Sequence, residues 1–597
     1  MGIYTKLPAE TEEVDVIIAG GGTAGCIVAA RLADTDPNLS ILVIEGGPNN
    51  HDVPTVVVPM FFLTHLMPGN KMTLFYQGKK EKQLADREVI VPSGGVLGGG
   101  SSINLMMYAR PQRVDFDSWK TPGWSANEIL PFYKKFETYH SPDVGETHGR
   151  NGPIQISGGT NRAFRSEDDF ISAAGKLDLP EVKDLQNLEG INAVERALRF
   201  VSPDGKRQDT AHRYLWPLLE DGKHPNLHVV VESQVLRVTF EGKRASGVVY
   251  RTNPKFQPET VVETRSVNAR KMVVVSCGAI GSPLLLERSG IGKPEILEAA
   301  GIPLVSSVPG VGHEYNDHHL LTYAYKTSLG PGETLDALVQ GRVDPAELMK
   351  NNDKLLGWNG QDVTCKLRPS EAEVASLGPQ FQDAWSRDFR DIPTKPLMLM
   401  SLLNGIPPGQ YFGVSAFSPY PYSRGHVHIT KPDLDTSINF ETGFFSDPHD
   451  IDLKKHVWAY KKQREIVRRM EVYRGEVASS HPPFPAGSDA ACTERDGPLT
   501  DVRDIKYTAE DDAILEQWLR KNVGSTWHSL GTCKMAAMNE MGVVDPMLSV
   551  YGVEGLKVAD MSIVPDNVGA NTNSTALAIG EKAADILIGE LGLGLSK

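Results

Sequence analysis

Residues 14–47 read VDVIIAGGGTAGCIVAARLADTDPNLSILVIEGG, and this stretch decides the fold. Val14 to Ala19 make an apolar run of strand length, rich in β-branched side chains. A glycine-rich turn follows, then the helical pattern of Cys26 to Asp34, then a second apolar run from Ile41 to Ile44. The order is strand, helix, strand. Inside it lies Gly20-x-Gly22-x-x-Gly25, with Glu45 closing the second strand. Gly20 permits the tight turn, Gly22 lets backbone approach a pyrophosphate, and Gly25 allows the helix to lie close to the strand. The helix N-terminus then offers free N–H groups and a positive dipole end to phosphates. Glu45 is placed to accept hydrogen bonds from ribose hydroxyls and to repel a 2′-phosphate. A glycine-rich turn alone is weak evidence; with this context it predicts a dinucleotide site.

Three later segments extend the pattern. PSGGVLGGGSSINLMMYARP (92–111) sets a glycine-rich turn between apolar flanks, as expected where a ligand must approach backbone closely. KMVVVSCGAIGSPLLLERSGIG (271–292) again runs strand, turn, helix. In 555–592, Leu556 to Ala559 read as a strand, and Leu577, Ile579, Ala583, Ile586 and Leu587 follow helical spacing after a cap supplied by Asn571 to Ser574. The reading is an α/β fold (α+β overall): a discontinuous dinucleotide-binding domain from 1–160, 200–320 and 525–597, with an inserted domain from 160–200 and 320–525. The inserted stretches are rich in Pro, Asp and aromatics.

The bulk composition excludes several classes. The formal charge of −14, with no dense Lys/Arg block, argues against a nucleic-acid partner. The basic stretch KKQREIVRRMEVYR (461–474) reads as a solvated helix face. The cysteines (Cys26, Cys277, Cys365, Cys492, Cys533) are scattered and contain no CxxC, which suggests neither a disulfide framework nor a zinc site. His426-x-His428 lacks an evident third ligand, so no metal is expected. No signal peptide or membrane span is visible, and the last three residues are LSK rather than the peroxisomal SKL. An intracellular protein, cytoplasmic or peroxisomal, is the expectation.

Together GGGTAG with Glu45, GGGSSIN, CGAIGSPLLLERSGIG and the C-terminal blocks resemble the glucose–methanol–choline oxidoreductase family of FAD enzymes, over nearly the whole chain. Within it, STWHSLGTC, DNVGANTNSTALAIGEKAAD, RYLWPLLE and SRGHVHI look most like alcohol oxidases. The resemblance implies a Rossmann-like FAD domain and a substrate domain built on an antiparallel sheet. It implies that Gly20, Gly22, Thr23, Ala24, Gly25 and Glu45 hold the ADP part of FAD, with Val235 beside the adenine. Gly99, Gly100, Ser101, Ser102 and Asn104 would lie along the flavin, Asp560 near the ribityl–pyrophosphate region, and Trp527, Asn571 and Thr572 against the cofactor. Ile103 stands where some relatives carry a flavin-linking His, so FAD is expected to be noncovalent.

The family's catalytic pair falls on His528 and Asn571. Alcohol oxidation needs a base for the hydroxyl proton while the α-hydride leaves for the flavin, and an imidazole, with an ordinary pKa of about 6.5, suits that task. Asn571 would orient the same alcohol oxygen. Leu105, Met107 and Trp527 would line the substrate pocket, with Leu105 standing where methanol oxidases have Phe. His318 and His319 are expected to pack near the cofactor without proton chemistry. The implied activity is oxidation of short primary alcohols to aldehydes with O₂ reduced to H₂O₂, by a homo-oligomer between dimer and octamer. The alternatives are an aryl- or furfuryl-alcohol oxidase, or a flavin-containing hydroxynitrile lyase, which uses the same fold for another chemistry.

Overall fold

The computed structural model describes residues 2–141, 145–259, 262–405 and 409–594; the C-terminal LSK lies outside them. Among the described residues two large sheets organise the chain. The first has eight strands, and its centre is the pair Glu13–Ala19 and Thr264–Val275, joined in parallel. Ile41–Ile44 and Leu227–Val230 extend the parallel part on one side. On the other side, Thr264–Val275 divides its free edge. Its first half pairs antiparallel with Arg244–Thr252, and its last residues pair parallel with Leu556–Val558. The quoted stretch forms the predicted strand, helix (Thr23–Thr35) and strand. All four residues of Ile41–Ile44 are buried, as expected for a strand covered on both faces.

The second sheet is antiparallel at its centre, with His319–Thr327, Tyr411–Ser418, Met398–Asn404, Gln361–Leu367 and Ala193–Arg196 as successive neighbours. Gly524–Ser525 joins its edge by pairing with His319 and Leu320. Helix Ile451–Val467 packs on this sheet. The basic stretch is not the solvated face expected of it. Arg464 is buried and donates to Glu476 Oε1 (2.8 Å) and the Ala490 carbonyl (2.9 Å), and from Tyr473 the chain is already a strand. A buried arginine is tolerable when a carboxylate pairs with it, and the partner lies distant in spacing from the helical repeat that suggested exposure. Among the described residues no helix is long and apolar enough to cross a membrane.

The C-terminal helix Asn573–Glu590 lies against Thr23–Thr35. At Gly25 there is no room for a side chain, because a Cβ would overlap the Gly20 carbonyl oxygen. Gly25→Ala is therefore expected to destabilise the protein by about 1–3 kcal/mol. Gly589→Ala, on the exposed end of the C-terminal helix with nothing near its Cβ position, is expected to stabilise by about 0.5–1 kcal/mol. Urea unfolding of both variants against the parent checks the pair.

Candidate active site

One cavity of about 510 Å³ runs from the glycine turn at Gly20 to the Trp527–His528 segment. Gly20, Gly22, Thr23, Ala24, Glu45, Gly99, Gly100, Asn104, Val235, Asp560, Asn571 and Thr572 all line it, as do Leu105, Met107, Trp527 and His528. Two glycines are demanded by the chain's own packing, while Gly22 and Gly100 leave their Cβ positions open to the cavity they line. Gly20 has φ +102, and a Cβ there would overlap the Ser276 carbonyl; a Cβ on Gly99 (φ +56) would press on Gly22. Helix Thr23–Thr35 begins at Gly22 with no side-chain cap, so its first N–H groups face the cavity unclaimed by a side chain. Glu45 accepts from the N–H groups of Gly21 and Gly47, each at 2.8 Å, and burial pushes its carboxyl up. Asp560 ties two chain ends together, accepting from Gly278 N–H (2.9 Å), Ser282 Oγ (2.5 Å) and Ser562 N–H (2.8 Å).

Gly25, Ser101 and Ser102 do not line the cavity. The two hydroxyls brace the glycine turn from behind. Ser101 Oγ donates to the Gly98 carbonyl (2.6 Å) and accepts from Thr210 N–H; Ser102 Oγ donates to the Leu97 carbonyl (2.8 Å) and accepts from Asn50 Nδ2. A hydroxyl that can satisfy its own turn does so in preference to facing outward. Arg207, which sequence reading missed, supports the same turn by donating to Asn104 Oδ1 and the Asn104 carbonyl (both 2.8 Å). The helix start at Thr572 also departs from expectation: no side chain caps it, and Thr572, Asn573 and Ala576 face the cavity instead.

At the other end, Asp317 holds the turn that carries the histidine. Its Oδ2 accepts from Ser525 Oγ (2.5 Å) and its Oδ1 from His528 N–H (3.0 Å), while Ser525 Oγ accepts from Trp527 N–H (2.7 Å). Trp527 sits at φ +62, a conformation that a bulky residue adopts only when its surroundings impose it. Burial raises Asp317 to about 6.

His528 is only 9% exposed, and its ring is bonded on both sides. Nδ1 lies 2.9 Å from His318 Nδ1, and Nε2 lies 3.4 Å from Asn571 Nδ2. His318 Nε2 in turn lies 2.5 Å from Asn567 Oδ1. That amide oxygen also accepts from Val568 N–H at 2.8 Å, and Asn567 Nδ2 donates to Asn316 Oδ1 at 3.1 Å, so the amide is not reversed. An acceptor at Asn567 requires the proton of neutral His318 on Nε2, which leaves its Nδ1 as acceptor. His528 then carries its proton on Nδ1 and a lone pair on Nε2 beside Asn571. Burial holds His528 well below the ordinary imidazole range, with His318 adding to the effect; burial brings His318 to about 3.

The paired histidines thus divide. His318, expected to pack passively, is bonded to His528. His319 turns away: Leu320 and Thr322 face the cavity from the same strand, so strand alternation sends His319 into the second core, against Phe444 and His456. His428 Nδ1 is engaged by Glu287 Oε1 at 2.6 Å. The wall across from the glycine turns comes from the second sheet, through Thr322, Gln361, Ser401, Ser415 and Phe417.

Residues 14–320 match the N-terminal family model described as GMC oxidoreductase, and residues 421–580 match the C-terminal one. The chain is 38% identical to an alcohol oxidase of Candida boidinii, over 97% of this chain and 96% of the relative. An alcohol oxidase of Pichia angusta is 37% identical over the same shares. Among solved structures, an FAD-dependent oxidoreductase from Chaetomium thermophilum superposes with a TM-score of 0.81 at 26% identity, covering 98% of this chain and 100% of that one. With both family domains matched in order across a cavity built for a dinucleotide, the chain belongs to the GMC oxidoreductase family.

Proposed function

We propose that the protein is an FAD-dependent oxidase of small primary alcohols, with His528 as the base and Asn571 as the group that orients the alcohol oxygen. The observation that carries the reading is the unprotonated Nε2 of His528, facing the cavity 3.4 Å from Asn571 Nδ2. The similarity to alcohol oxidases supports the same reaction. FAD fits the cavity through the glycine cradle and the uncapped helix at Gly22; when bound noncovalently it supplies the acceptor for the alcohol's α-hydride and the route of electrons to O₂, giving H₂O₂.

The residues of the chain do the rest. Asn571 Nδ2 donates to the alcohol oxygen and holds it against His528 Nε2. Nε2 takes the hydroxyl proton as the C–H bond breaks. The resulting imidazolium keeps its Nδ1–H on His318 Nδ1, which fixes the ring while charge develops on it. His318 is thus a positioning residue acting through His528. Trp527, Leu105 and Met107 bring apolar surface to the cavity.

Three outcomes are expected. Ethanol added without air should bleach the flavin absorbance, and air should restore it with formation of peroxide; a flavin that stays yellow with ethanol, benzyl alcohol and furfuryl alcohol would sink the reading in favour of the lyase. His528→Ala should lower kcat/KM by roughly 10²–10⁴-fold with FAD content retained. His318→Ala should lower kcat with little change in KM, and His318→Asn, which restores an acceptor, should recover part of the loss.

The pH profile follows from the sign of the shift. A base works deprotonated, so the rate is lost as pH falls through its pKa. Because burial depresses His528, the acid limb of kcat/KM should lie below the ordinary imidazole range. Asp317, about 6 and bonded to His528 N–H, is the nearby carboxyl that would add a shallower loss on the acid side.

A further inference from the structure

The wall of the cavity contributed by the second sheet is mixed: beside the apolar Leu320, Leu403 and Phe417 stand polar side chains that a pocket for simple alkanols does not need. Alternation along the strands brings Thr322, Ser401 and Ser415 to the same face, and they are direct cross-strand partners: Thr322 opposite Ser415, and Ser415 opposite Ser401. With strands about 4.8 Å apart, the three hydroxyls form a row roughly 10 Å long. Gln361 joins the same wall from the next strand, opposite Leu403 and so two residues along from Ser401.

Gln361 is 5% exposed. Its backbone is fully used, its N–H donating to Asn359 Oδ1 and its carbonyl accepting from Arg199, but its carboxamide has no hydrogen-bond partner among the described residues. Ser401 Oγ likewise has none, while Thr322 Oγ1 and Ser415 Oγ lie 2.9 Å apart and leave one hydroxyl hydrogen to spend. The Gln361 and Ser401 side chains both keep polar atoms open to the cavity, so they are free to bond an occupant. They are aimed into the cavity that contains the base.

The row continues along the strand whose Phe417 touches His528. Phe417 packs edge-on to His528 with ring centroids 5.7 Å apart, and Ser415 is the next residue of the same strand on that face, roughly 6.6 Å further along. We propose that the preferred substrate is a bifunctional alcohol, an ω-diol or hydroxy-alcohol. Its reacting hydroxyl sits at His528 and Asn571, and its second hydroxyl is bound at Ser401, with the Gln361 carboxamide from the next strand as its other partner. The proposal rests on the alcohol-oxidation reading and names the substrate class for that site. A simple alkanol in the same place would bury the row without partners, and a site built to bond a hydroxyl discriminates strongly against ligands that lack it.

The test compares alcohols of equal heavy-atom number on the FAD-loaded enzyme: 1,4-butanediol with 1-pentanol, and 1,5-pentanediol with 1-hexanol. The diol values are halved for their two equivalent ends. The diols should exceed the alkanols in kcat/KM by about tenfold or more. Gln361→Leu and Ser401→Ala should each collapse that ratio several-fold, through KM for the diol more than through kcat. FAD content and the flavin spectrum should stay as in the parent.

Alkanols equal to or better than diols in the parent enzyme would overturn the proposal, as would a ratio unmoved by both variants. Loss of FAD in both variants would also overturn it, by assigning the row to the cofactor. Flavin reduced by alkanols with no preference for diols removes this inference alone; flavin reduced by neither class removes the oxidase reading as well.

Discussion

Strand Thr264–Val275 is the seam on which the molecule depends. It pairs with Glu13–Ala19 from the start of the chain, Arg244–Thr252 from the middle and Leu556–Val558 from near the end. Because the pairings with the first and last of these are parallel, the C-terminal ends of the strands emerge together. Gly20, Ser276 and Asp560 therefore meet at one edge of the sheet, where open α/β sheets bind their ligands. The hydrogen bond from Ser276 N–H to the Ala19 carbonyl (2.7 Å) and that from Ser276 Oγ to the Ala559 carbonyl (2.8 Å) lock the three ends. A chain whose ligand-binding turns are hundreds of residues apart is made local by one strand.

Much of this was legible beforehand because backbone demands leave marks in residue type. A turn that must bring a helix within contact of a strand accepts only glycine at Gly25, and a turn at positive φ packed on the Ser276 carbonyl accepts only glycine at Gly20; both requirements leave glycines in the sequence. Side-chain direction was less legible. Ser101 and Ser102 look like ligand contacts in sequence, yet a hydroxyl has a nearby carbonyl to satisfy, and the turn claims it. His318 and His319 are adjacent, so composition cannot separate them; only the register of the strand beginning at His319 sends one toward His528 and the other into the second core. Asn567 and Arg207 carried no signal, because each matters only through a contact with a residue far away in the chain.

The catalytic turn illustrates how strain is held. Trp527 at φ +62 is unfavourable on its own. Asp317 compensates by accepting from both ends of the turn, and the edge strand Gly524–Ser525 anchors it to the second sheet. The arrangement fixes the segment that carries His528 to the edge of the second sheet. A carboxylate near neutrality would serve poorly as a bulk stabiliser; here it serves by geometry.

The hydrogen-bonded series His528, His318, Asn567 has one further consequence. It is a conductor with a blocked end. The last member is an amide oxygen already holding two donors, and an amide does not ionise in the range where proteins function, so no proton can be passed beyond it. On the reading proposed above, a proton taken up at His528 Nε2 meets no ionisable group beyond Asn567 along this series and leaves by the cavity face. On that reading the cavity holds the proton until a molecule beside Asn571 takes it back.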